Sequence, residues 1–181
     1  MIDNYEVNIK TQNRHQRGYT LFLLLLVFIA SHVDRQIVAI LQEPIRIAFE
    51  LTDTQLGVLT GFAFALFYAT LGMPMAMWAD RRNRRNLIAF SISLWSAMTV
   101  ACAAAGQYWQ LLAARIGVAV GEAGSNPPSH SIIADLYEPA ERATAMAIFG
   151  LGVNFGIMFG FLIGGWAVSY THLRAHETER N

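Results

Sequence analysis

A chain of 181 residues that is 54% hydrophobic and 14% charged, with zero formal net charge and one cysteine, excludes several classes at once. Its apolar residues gather in blocks of about 20, the length a helix needs to cross roughly 30 Å of hydrocarbon, so membrane spans are expected rather than a soluble core. No net basic charge is present to attract nucleic acid, and Cys102 alone can form no internal disulfide.

Residues 1–17 are polar and carry Lys10, Arg14 and Arg17. The apolar run that follows is too long for a signal peptide and has no small-residue cleavage pattern, so 1–17 reads as a tail ahead of a retained first span. That span covers Gly18 to Leu41, and Glu43-Pro44 is expected to end it, since proline has no N–H and disfavours helix in the residue before it. Thr52 with Gln55 forms a capping-box pattern opening a second span, Leu56 to Trp78. A third runs from Leu87 to Ala105, turning at Gly106-Gln107, and a fourth from Trp109 to Ala134. After Glu138-Pro139 a fifth covers Ala143 to Val168.

Lys10, Arg14, Arg17, Arg81, Arg82, Arg84, Arg85 and Arg142 fall in segments on one side, against Arg46 on the other. This bias puts the amino terminus and the 2–3 and 4–5 loops in the cytoplasm, with the chain integral to a bacterial inner (plasma) membrane. Tyr19, Trp78, Tyr108, Trp109, Tyr137 and Trp166 lie near span ends, where amphipathic rings are comfortable, whereas Trp95 does not.

Four charges lie inside spans: Asp34, Arg35, Arg115 and Glu122. Each costs about 2.5–3.5 kcal/mol at a helix centre, so each is expected to face a partner or a cavity. Asp34 and Arg115 sit at equal depth, roughly 10 Å below the outer surface, which permits pairing. Glu122 follows Arg115 by two turns on the same helix face and lies near the midplane. A neutral network that only holds helices in register is one reading. Proton coupling or substrate binding is the other. His32 and His130 are read as satisfied polar groups without a role.

Gly152, Gly156, Gly160 and Gly164 recur every fourth residue in span five, a pattern that lets another helix approach closely. His172 and His176 in the tail would make a poor metal site, having no third ligand, and no cofactor is expected.

The segment Ala76-Met-Trp-Ala-Asp80-Arg81-Arg82-Asn83-Arg84-Arg85 resembles the loop 2–3 signature of the major facilitator superfamily, with Ala76 and Asn83 replacing its two glycines. Asn83 tolerates a left-handed turn, and Ala76 still allows close approach. The resemblance implies a cytoplasmic gate loop of Asp80, Arg81, Arg84 and Arg85; a positive-inside anchor is the plainer reading. Arg115-Ile-Gly117-Val-Ala-Val-Gly121-Glu122-Ala123, Ile133-Ala-Asp135-Leu, Glu141-Arg142 and Asp34-Arg35 resemble the spinster-like branch more narrowly, from Tyr19 to Trp166. In that branch the matching aspartate, arginine and glutamate are implicated in proton coupling, and the family's glycine-rich fifth helix packs on the opposite half. Pro127-Pro128 is expected to break or kink span four, where irregular backbone can line a cavity.

The resemblance implies an all-α membrane protein, residues 18–168 being five transmembrane helices of the first six-helix half of a major facilitator superfamily fold. It implies secondary active transport of a small organic or lipid-like amphipathic solute, coupled to protons. The bilayer and the missing C-terminal half of the transporter are the expected partners. Ser169 to Thr178 resembles translated sequencing-adapter DNA, so 169–181 is expected to be a non-native tail on a truncated chain. A non-transporting scaffold or receptor gains little from buried charges. A membrane enzyme is disfavoured because neither an HExxH nor a GxSxG pattern occurs.

Overall fold

The computed structural model describes residues 2–81 and 83–179, with side chains described for 14–75, 77, 78 and 83–168. The elements are α1 (Ile2–Ile40), α2 (Gln42–Ala48), α3 (Asp53–Gly57), a π-helical turn (Val58–Phe62), α4 (Ala63–Arg81), α5 (Arg84–Ala103), α6 (Tyr108–Ala123), α7 (Asn126–Leu136) and α8 (Pro139–Glu179). Among the described residues, four stretches are long and apolar enough to cross a membrane: Arg14–Ile40, Asp53–Met75, Arg84–Ala103 and Pro139–Val168.

The first span ends at Ile40, within one residue of the expected Leu41, and Pro44 does not end it. Pro44 instead sits in the first turn of α2, where a backbone N–H has no helical partner and its loss costs nothing. An i,i+3 pair between Arg46 Nη2 and Glu43 Oε1 at 2.6 Å spans this short helix. Glu50 then takes a left-handed conformation, φ 52°, and turns the chain. The capping box forms as read: Thr52 Oγ1 accepts from Gln55 N at 3.3 Å and Thr52 N donates to Gln55 Oε1 at 3.0 Å.

Span four is two helices in series, not one. α6 has 16 residues and α7 has 11, each shorter than the roughly 20 residues that a crossing requires. The break falls at Gly124 and Ser125, and Pro127 and Pro128 lie in the first turn of α7. The prolines therefore start a new helix, because that turn is the one place a helix tolerates their missing donors. α8 continues as helical backbone to Glu179, while the side chains of the tail expected to be non-native, 169–181, lie outside the described residues.

α1 and α8 form the most extensive pairing, and they run parallel. Phe28, His32, Gln36 and Ile40, each four residues apart, lie over Gly152, Gly156, Gly160 and Gly164 in the same order. A side chain at Gly156 would meet Ile29 O at 2.9 Å as well as His32, so only glycine admits this approach. The expectation that this stripe awaits the opposite half is thereby corrected: α1 of the same chain fills it. In a lipid environment the gain is van der Waals contact, since lipid tails are as apolar as the helix. α5 and α6 are equally close at Gly121, where an added Cβ would lie 2.7 Å from Trp95 N.

Two buried clusters bracket the middle of the bundle. One gathers Leu21, Leu24, Ile88, Ile133, Ala145 and Phe149. The other gathers Leu51, Leu59 and Leu111. Along α6 and α7 the charged residues fall between them, at positions 115 and 122.

Candidate functional site

The four intramembrane charges make two cross-helix ion pairs from adjacent residues of α1. Asp34 Oδ2 accepts from Arg115 Nη1 at 3.1 Å, as equal depth implied. Arg35 donates to Glu122 Oε2 through Nε at 2.7 Å and Nη2 at 2.6 Å. Consecutive residues on α1 thus reach two positions seven apart on one face of α6. Thr99 of α5 adds a third tie, its hydroxyl donating to Asp34 Oδ1 at 3.3 Å.

The two pairs differ in access. Side-chain exposure is 5% for Arg115 and 15% for Asp34, but 31% for Arg35 against 1% for Glu122. Arg35 is therefore the more exposed of the two guanidiniums. It lies over two rings of α4, with Cζ 4.9 Å from the Phe64 centroid and 4.7 Å from that of Tyr68, and Arg115 lies 5.2 Å from Phe64. Such cation–π contacts strengthen where water is excluded. Tyr68 Oη in turn accepts from Asn126 Nδ2 at 3.3 Å. Four buried polar atoms have no hydrogen-bond partner among the described residues: Ser91 Oγ, Arg115 Nε, Glu122 Oε1 and Asn126 Oδ1. Two of these, on Glu122 and Asn126, are acceptors four residues apart.

Thr99, Phe64, Tyr68 and Asn126 escape the sequence reading. The i,i+4 aromatic spacing of Phe64 and Tyr68 could have pointed to one helix face, but nothing in the sequence gives its direction. The two histidines behave as read: His32 Nδ1 donates to Phe28 O at 2.9 Å and His130 Nδ1 to Asn126 O at 3.0 Å. No cluster suited to a metal ion occurs among the described residues.

At the other end of α4, the side chains of Asp80 and Arg81 lie outside the described residues. Arg84 pairs with Asp135 of α7, so the loop is tied to the end of span four. Asn83 is extended, φ −67° and ψ 108°, and its Oδ1 accepts from Arg85 N at 3.1 Å. It acts as a helix cap, not as the left-handed turn expected from its stand-in role for glycine; an asparagine carbonyl oxygen supplies what the first turn of α5 needs. Arg85 is exposed.

Residues 23–175 match the family model described as Major Facilitator Superfamily. An MFS-type efflux pump of Mycolicibacterium smegmatis is 36% identical over 79% of this chain and 33% of its own length. A probable L-galactonate transporter of Escherichia coli is 26% identical over 87% of this chain and 37% of its own. Among solved structures, a bacterial homologue of the human lysosomal transporter Spinster, inward-facing and unoccupied, superposes with a TM-score of 0.79 at 46% identity, over 82% of this chain and 31% of that one. The chain spans about a third of the length of these relatives. With its helical architecture and its paired intramembrane charges, the chain belongs to the major facilitator superfamily of transporters and resembles the spinster-like branch.

Proposed function

We propose that the chain provides helices of the first half of a secondary active transporter that moves a small organic or amphipathic solute in exchange for, or together with, protons. The reading is carried by one observation: Glu122, 1% exposed, is bonded through one carboxylate oxygen to the more exposed Arg35. A proton on Glu122 weakens that pair and releases Arg35 to an anionic group, while loss of the proton restores the pair and expels the anion. Asp34 and Arg115 hold α1 and α6 together through the exchange. The relatives, an MFS-type efflux pump and a probable L-galactonate transporter, support a solute carrier. Scaffold and enzyme readings have no comparable observation.

The loop of Asp80, Arg81, Arg84 and Arg85 is proposed to close the cytoplasmic side, tethered through Arg84 to Asp135. The arginine bias supports a cytoplasmic amino terminus in a bacterial inner membrane. A second six-helix half completes the solute path. The test uses the full-length transporter in proteoliposomes with an imposed pH gradient. Glu122→Gln should abolish gradient-driven accumulation while leaving counterflow exchange of solute, because the amide cannot titrate. Accumulation that survives at the parent rate removes Glu122 from coupling.

A further inference from the structure

We infer that a groove between α1 and α8, where both helices begin their apolar stretches, holds a bilayer phospholipid whose head group carries a phosphate and a primary ammonium. The groove encloses about 820 Å³, with Arg14 and Arg17 on its α1 wall and Glu138 and Glu141 on the other. Arg17 lies roughly 27 Å along α1 from Arg35, so this place is separate from the paired intramembrane charges and does not depend on the transport reading.

The register of the glycine seam brings these charges together. Continued from Phe28 over Gly152 toward the amino terminus, it sets Leu21 against Ala145, and the two share one buried cluster. One and two turns further on, the same register sets Arg17 opposite Glu141 and Arg14 opposite Glu138. Here the helices part. The four-residue spacing of the glycines continues as Ile148 and Thr144, which line the groove, and a Cβ added at Gly18 would meet nothing within 4 Å. None of the four charged residues makes an ion pair among the described residues.

Depth and charge together identify the occupant. The two apolar stretches start at Arg14 and Pro139, so the charged rim lies where the helices enter the bilayer, and the exposed Tyr19 marks the same level. Leu21 and Ile148 line the groove roughly 10 Å deeper, at acyl-chain level. Arginines bind phosphate through charge-assisted hydrogen bonds, and carboxylates accept such bonds from an ammonium. A head group whose only charge is its phosphate is repelled by Glu138 and Glu141. Choline brings the positive charge but no N–H to donate. Phosphoethanolamine offers a phosphate to one wall and three N–H donors to the other.

Purified, delipidated full-length protein is titrated with phosphatidylethanolamine, phosphatidylcholine and phosphatidylglycerol of identical acyl chains, and bound copies are counted by native mass spectrometry. The parent is expected to bind the ethanolamine lipid about tenfold more tightly than the other two, the scale of one charge-assisted hydrogen bond. Glu138→Gln with Glu141→Gln removes the acidic wall and leaves the arginines that orient the chain; its preference should pass to phosphatidylglycerol. Gly18→Leu fills the groove without changing charge and should lower the ethanolamine lipid to the level of phosphatidylcholine. Equal binding of the three lipids by the parent overturns the inference, as does an ethanolamine preference that persists in either variant. A parent that retains none of the lipids overturns it too, since another part of the protein then fills the groove. Unfolding midpoints in phosphatidylcholine show whether the variants are folded. Should they not be, a photoactivatable ethanolamine lipid on the parent decides: label on the peptides holding Arg17 or Glu141 supports the site, and label only elsewhere removes it.

Discussion

Helix α1 meets α8 along one side and α5 and α6 along another, and the two seams are built from opposite materials. Against α8 it sets Phe28, His32, Gln36 and Ile40 over four glycines, a fit of shape in which side chains of one helix lie over the bare backbone of the other. Against α6 it sets Asp34 and Arg35 over Arg115 and Glu122, a fit of charge. Shape complementarity does not depend on a proton or a ligand, whereas an ion pair between buried side chains does. The difference teaches that one helix can be joined by shape on one flank and by charge on the other.

The comparison breaks most sharply at Arg115. In the full-length protein, Arg115→Ala leaves Asp34 as a mostly buried carboxylate without its cation, and is expected to cost about 3–5 kcal/mol, seen as a lower unfolding midpoint in detergent. Adding Asp34→Asn should recover part of that loss without restoring proton-driven transport. Simple additivity of the two changes would mean the residues are not coupled. On the shape seam, Gly160→Ala should cost about 1–3 kcal/mol through overpacking against Gln36, which carries no titratable group, and the loss should be the same at every pH. A pH-dependent loss there would blur the distinction between seams. The smallest effect belongs to a pair that has charge without burial: Arg84 and Asp135, with side chains 31% and 66% exposed. Arg84→Ala should change stability by about 0.2–1 kcal/mol, falling as salt is raised. A loss as large as that at Arg115 would show that charge alone, not its burial, sets the strength of these ties.

Much of this arrangement is legible in the residues. Apolar blocks give the spans, and a charge inside a span advertises itself because hydrocarbon makes it costly. Equal depth was enough to pair Asp34 with Arg115. It was not enough to pair Arg35 with Glu122, since adjacent positions on α1 point about 100° apart and only the helix placement decides which of them α6 receives. Phe64 and Tyr68 do not stand out in the sequence, because an aromatic ring under a guanidinium and one under a leucine have the same sequence signature. The glycine stripe announced a close neighbour but not its identity. Whether Pro127-Pro128 kinks one helix or opens a second depends on Gly124 and Ser125 leaving helical pairing just upstream, which composition does not dictate. Asn83 shows the same limit, as asparagine serves both left-handed turns and caps.

The π-helical turn at Val58–Phe62 bears on how this span should be aligned with others. Such a turn takes up one residue more than an α-helix uses, and that residue would otherwise rotate everything after it by about 100°. Within it Leu59 packs with Leu111; just beyond it Phe64 and Tyr68 lie under Arg35. The insertion works as a phase shifter that lets a single segment show its apolar edge to one neighbour and its aromatic edge to another. A chain that builds the same span from unbroken α-helix needs one residue fewer between Leu59 and Phe64 to present the same rings. Alignment of such a chain without a gap at this point would assign the cation's platform to residues that face lipid.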